Sequence, residues 1–216
     1  MKFGFKTVLA SATLSLVAFT TANAAVLVSA ANTPGNVGVA LWSSCNPAQS
    51  AGPALTVTAC LPPDLINVTG NENLTINGGQ AVVDAADGFF TSGSMTLANA
   101  ARGFSLLGFN INSTATNQNP SSVSFVVNFL DGAGAAGSLS SAAFTVGPGG
   151  NQFLFDTTGG FVITTVAFTA AANSIDDIKQ IRFDAVNRPT TTNVPLPGTL
   201  ALMGLGFLAL ARRFRA

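Results

Sequence analysis

The sequence predicts an all-β fold: a jelly-roll-like β-sandwich, flanked by an N-terminal signal-peptide helix and a C-terminal apolar helix. Three observations carry this. Apolar residues in the middle of the chain alternate with polar ones at a period of two, the pattern of strands with one buried face. Turn pairs such as Gly78-Gly79, Asp87-Gly88, Asp131-Gly132 and Gly159-Gly160 punctuate those runs at fairly regular spacing, with no convincing amphipathic helix between them. Both ends of the chain are basic and apolar, whereas the stretch between them is polar and mildly acidic.

Residues 1–24 open with Lys2 and Lys6, continue through an apolar stretch from Thr7 to Phe19, and close with Ala22-Asn23-Ala24. A basic start, a short apolar core and an A-x-A site are the parts of a secretory signal peptide, with Ala25 as the expected mature N-terminus. The apolar stretch is too short to span a bilayer comfortably, and small polar residues follow it at once.

Residues 25–187 are about one domain's worth of chain. Val123, Phe125, Val127 and Phe129 fall on one face of a strand over 122–130, with Ser122, Ser124 and Asn128 on the other. The same alternation places Leu107, Phe109 and Ile111 together, then Ala142, Phe144 and Val146, then Val162, Thr164, Val166 and Phe168. A last strand over 178–186 turns Ile181 and Phe183 inward and Gln180, Arg182 and Asp184 outward. Twelve phenylalanines between 89 and 183 supply the bulk of a core. Thr, Ser, Asn and Ala on the outward positions explain why only 8% of the chain is charged, where about 25% is usual.

Residues 188–193, Arg-Pro-Thr-Thr-Thr-Asn, read as an exposed linker. The segment 194–216 begins Val194-Pro195-Leu196-Pro197-Gly198, runs through an apolar stretch from Thr199 to Ala211, and ends with Arg212, Arg213, Phe214 and Arg215. As a helix the apolar part spans only about 20 Å, marginal for a hydrocarbon core of about 30 Å. The arginines would hold its end in the cytoplasm and leave the rest of the chain outside.

This tail resembles the PEP-CTERM sorting signal of Gram-negative bacteria, on the proline motif, the Leu/Gly-rich segment and the arginine cluster. The resemblance implies processing by an exosortase, a membrane cysteine transpeptidase that cuts near the proline motif. It also implies transient anchoring followed by display at the cell surface or release, commonly alongside exopolysaccharide and biofilm genes. Leu196 stands where the family's central Glu is expected. The run Asp177–Asp184 is similar to the closing strand of jelly-roll domains often found ahead of such a tail.

Composition excludes much chemistry. The chain has no His, so an imidazole base, a Ser-His-Asp or Cys-His system and His metal ligands are ruled out. Two cysteines cannot build a Cys-rich zinc site. Four basic side chains scattered through 25–193, against nine acidic ones, leave no footprint for nucleic acid. Cys45 and Cys60, an even pair in an exported segment, are expected to form a disulfide worth about 3 kcal/mol. Gly132-Ala-Gly-Ala-Ala-Gly137 matches the letters of a dinucleotide fingerprint, but another strand follows where the fingerprint needs a helix, so it reads as a hairpin loop.

Asp84 and Asp87 read first as turn chemistry, with a Ca²⁺ site as the alternative; no other cofactor is expected. Trp42 and Phe89-Phe90 are read as core residues before sugar-stacking ones. Asp176 and Asp177 are adjacent, and on a regular strand they would face opposite ways and not flank one bond. The expectation is a non-catalytic surface or matrix protein, with a carbohydrate-binding sandwich, acting on exopolysaccharide and steadied by Ca²⁺, as the alternative.

Overall fold

The computed structural model describes residues 25–42, 52–114, 121–171 and 174–190. Ala22 and Ala24 of the signal site, Cys45, and the whole of 194–216 lie outside the described residues, as do both expected helices.

Twelve strands form: β1 (Val26–Ser29), β2 (Ala54–Leu61), β3 (Asp64–Asn77), β4 (Val82–Ala85), β5 (Ser92–Leu97), β6 (Arg102–Ser113), β7 (Ser121–Leu130), β8 (Ala136–Ser140), β9 (Phe144–Val146), β10 (Gly149–Thr157), β11 (Val162–Ala170) and β12 (Ile175–Asn187). Among the described residues there is no helix.

All-β is what the alternation predicted. The two separate sheets of a jelly-roll sandwich are not what forms. The strands make one antiparallel sheet in which β6, β12, β4, β3, β5 and β11 follow one another, and a pairing of Ile163 with Phe104 joins β11 back to β6. The result is a six-strand barrel with extra strands: β10 and β1 extend beyond β6, β7 with β8 and β9 beyond β11, and β2 beyond β3. The cause lies in long-range pairing. β3 gives its first half to β5 and its second half to β4, so it carries the sheet round a corner. Register shifts in β11 and β12 add bends, as an extra residue on one strand does.

The core is aromatic. Phe125 of β7 meets Phe153 and Phe155 of β10 at ring separations of 4.8 and 5.0 Å, so the strands beyond β11 pack against those beyond β6. Phe109 stacks on Phe155 at 5.4 Å, and Phe104 meets Phe183 edge-on at 5.7 Å. Leu107, Phe109, Ile111, Ile181 and Phe183 are buried as their alternation predicted.

Three positions depart from simple alternation. The shift between Ile163 and Thr165 makes Thr164 the extra residue of β11, so Ile163 enters the core in its place. Ala142 lies outside β9 and is exposed. Phe129 is only partly buried, tilted against Phe161 at 5.4 Å near the edge of the core.

Candidate functional site

The two ends of the domain meet at one pole. The backbone N–H of Ala25 donates to Thr158 Oγ1 at 3.1 Å, and the Thr158 N–H donates back to the Ala25 carbonyl at 3.0 Å. At the domain's C-terminus, on this same pole, Arg188 ties down the last strand, its N–H to the Ala101 carbonyl at 2.9 Å and its Nε to the Arg102 carbonyl at 2.8 Å. Thr158, Gly159, Asn187 and Pro189 line a single cavity of about 340 Å³. Thus the residue that follows the expected signal cleavage and the residues that enter the linker leave the barrel side by side. Nearby, Arg102 Nη1 contacts Asp64 at 2.8 Å and its Nη2 donates to the Ala185 carbonyl, closing that pole.

Toward the other end lies an acidic group. Asp84 of β4 pairs across the sheet with Asp177 of β12 and accepts from Asn77 Nδ2 at 2.8 Å. A register shift between Ile175 and Asp177 overturns the expected opposition of Asp176 and Asp177. Both carboxylates instead reach the same amide, Asn112 Nδ2, at 3.4 and 2.9 Å. Lys179 Nζ lies 3.4 Å from Asp177. Burial pushes the Asp84 carboxyl above the ordinary range, Asn77 pulls it back, and the charges of Asp177 and Asp176 push it further up.

Asp87 belongs to a different neighbourhood. It faces Glu72, whose carboxyl is raised first by burial and then by a hydrogen bond and charge repulsion from Asp87. The two calcium candidates are therefore divided between separate partners. Among the described residues no group of three or more His, Cys, Asp or Glu side chains is placed to hold a metal ion.

The third feature is a polar well on the outer face of β10, β6 and β12. Cross-strand pairing sets Gln152 beside Asn110 and Asn110 beside Lys179; two residues along β6, Gly108 pairs with Arg182. A bulge between Lys179 and Arg182 inserts Gln180 in the left-handed region, with φ of 53°, as the only described non-glycine residue there. That brings Gln180 to line the well with Asn110, Gln152 and Arg182. The segment 30–42 passes over this face and adds Asn32 and Thr33. Gly108 makes the close approach possible: a Cβ there would overlap Thr33 Oγ1. Gly150 likewise leaves room for the Asn110 amide.

The remaining sequence candidates fall as follows. Gly132–Gly137 is the hairpin between β7 and β8, closed by Asp131, whose Oδ1 accepts from the N–H groups of Ala133 and Ala135. Phe90 is buried and Phe89 exposed, so the pair is split between core and surface. Trp42 packs on the core. Cys60 is fully buried on β2. The polar well was missed in the sequence because it needs a bulge, two glycines and a covering segment that period-two alternation does not reveal. Its only trace was the outward placement of Gln180 and Arg182.

Comparison with known proteins touches the tail alone. Residues 193–216 match the family model described as the PEP-CTERM protein-sorting motif. No curated protein matches the chain, and no solved structure does. The motif implies an exported protein, processed by an exosortase and sorted to the cell envelope or surface.

Proposed function

We propose that this chain is a non-catalytic protein, exported across the inner membrane of a Gram-negative bacterium and presented at the cell surface or in the extracellular, exopolysaccharide-rich matrix after its tail is processed. The sorting motif at residues 193–216 carries this reading. In it, the apolar run Thr199 to Ala211 is a temporary anchor, opened by Pro195 and Pro197 on the outer side and stopped by Arg212, Arg213 and Arg215 on the cytoplasmic side. The geometry of the domain supports it: with Ala25 and the linker at one pole, a domain tethered there turns its opposite pole outward.

Two further observations fit. The chain has no His, and the carboxylates of Asp84, Asp176 and Asp177 are engaged by Asn77, Asn112 and Lys179. In an oxidising compartment Cys45 and the buried Cys60 pair as a disulfide.

Mass spectrometry of the exported protein tests the anchor. The precursor is expected in the membrane fraction, and the mature form is expected to lack residues beyond about Pro197. Recovery of peptides containing Met203 or Phe207 from the mature form overturns the reading.

A further inference from the structure

The polar well described above has properties that packing and stability do not explain. Asn110 is 7% exposed, yet its Oδ1 is buried without a hydrogen-bond partner. Its Nδ2 reaches Gln180 Oε1 only at 3.5 Å, the outer limit of a hydrogen bond. A buried amide left half satisfied carries an uncompensated desolvation penalty. Gln180 beside it holds a left-handed backbone, where a glycine would sit freely and a side chain is strained. Arg182 donates from Nη1 to the Val37 carbonyl at 2.9 Å and has no carboxylate within ion-pair distance among the described residues. An unmet acceptor, a glutamine on a left-handed backbone and a guanidinium without a carboxylate partner therefore converge on one cavity of about 200 Å³.

From this convergence we propose that the well binds one carboxylate-bearing sugar residue, a hexuronic acid unit of an anionic polysaccharide. The donor set selects the ligand. Asn32, Thr33, Asn110, Gln152 and Gln180 offer neutral groups that both donate and accept, which is what a ring of hydroxyls requires. Rotation about χ2 exchanges the oxygen and nitrogen of the Asn110 amide, so its unmet group can turn toward a ligand hydroxyl. Arg182 supplies a planar fork for a single carboxylate. No acidic side chain lines the well among the described residues, so an ammonium group finds no counter-charge there, which excludes amino acids, and a divalent cation finds no anionic ligand. Among the described residues Arg182 is the one cationic side chain lining the well, so it balances the single charge of a carboxylate and leaves a phosphate dianion half neutralised. The size excludes larger ligands: drug-sized molecules occupy about 300–1,000 Å³, and this well holds about one ring.

The inference is independent of tail processing, so its failure leaves the sorting reading standing. The test is saturation-transfer NMR on the full chain in detergent micelles, with the sodium salts of glucuronate, galacturonate, mannuronate and guluronate, each against its neutral parent hexose. At least one uronate is expected to bind, and its neutral parent about tenfold more weakly, as loss of a charge-assisted hydrogen-bond pair implies. Arg182→Gln is expected to abolish that preference. Because Arg182 also holds the covering segment, Gln180→Gly is the second variant. Glycine relieves the backbone strain, so the melting temperature should hold or rise while uronate binding falls about tenfold. Binding of no uronate, equal binding of the neutral parents, or unchanged binding in Gln180→Gly each overturns the proposal.

Discussion

The two faces of β10, β6 and β12 are made from alternate residues of the same strands and do opposite things. Phe153, Phe109 and Phe183 point inward and are essentially sealed from solvent. Gln152, Asn110 and Arg182, each one residue away, point outward into a well where the Asn110 Oδ1 is unmet. Inside, Phe109 stacks on Phe155 at 5.4 Å and Phe104 meets Phe183 edge-on at 5.7 Å. Outside, the strands tolerate a left-handed glutamine and a half-satisfied amide. A local fault kept on one face of a well-packed sheet points to a role other than stability, since strain of this kind persists only where the surroundings hold it in place.

The sharpest way to break this comparison is to empty the inner face. Phe125 is 1% exposed and touches Phe109, Phe144, Phe153 and Phe155. Phe125→Ala should cost about 3–5 kcal/mol, because a cavity remains beyond the lost burial. Phe129→Ala should cost less, since that ring is only partly buried. Denaturant unfolding of both variants checks the order; a larger loss for Phe129→Ala would mean the core is centred elsewhere.

The next effect concerns β2, where Cys60 is sealed from solvent. With the disulfide in place, Cys60→Ala should lower stability by about 3 kcal/mol under non-reducing conditions. Thiol labelling of the unfolded, non-reduced wild type gives the direct check: two reactive thiols would contradict the pairing.

These two cases also show what the sequence could reveal. Strand identity, the inward set Leu107, Phe109, Ile111, Ile181 and Phe183, and the tail were legible because each is a local pattern: a period of two, or a fixed order of prolines, leucines and arginines. Barrel closure was not, because it depends on one contact between Ile163 and Phe104, far apart in the chain. Nor were the bulges at Thr164, Asp176 and Gln180, which each add a residue and reverse the faces that follow. The expected opposition of Asp176 and Asp177 failed for that reason. The candidate well failed to show in the sequence for the same reason, since its key glutamine is itself the bulge.

The half-buried carboxylate of Asp84 sharpens the contrast further, because it opposes folding at neutral pH. Burial and the neighbouring Asp177 and Asp176 hold Asp84 protonated to higher pH than in the unfolded chain. Folded protein therefore binds more protons than unfolded protein as pH rises from about 4 toward the raised value, and stability falls across that window. Asp84→Asn removes the effect and keeps an oxygen to accept from Asn77. The variant should melt higher than wild type at neutral pH and alike in acid below the unfolded value. A lower melting temperature at neutral pH would show that the charge on Asp84 supports the fold.

The smallest expected effect lies on the opposite face of β7. Ser124 precedes Phe125 on β7 and faces the other way, partly exposed, its Oγ reaching the Thr169 carbonyl only at 3.5 Å. A hydroxyl at that distance and exposure exchanges readily with water, so little is lost when it goes. Ser124→Ala should change stability by less than about 0.5 kcal/mol, as surface substitutions away from special features do. Measured beside Phe125→Ala in the same denaturant series, it isolates the face from the strand, because the two residues share backbone, register and partners in β11. If Ser124→Ala were the more damaging of the two, the inward face of β7 would be the serine face, and the packing of Phe125 on Phe153 and Phe155 could not be what holds the outer strands together.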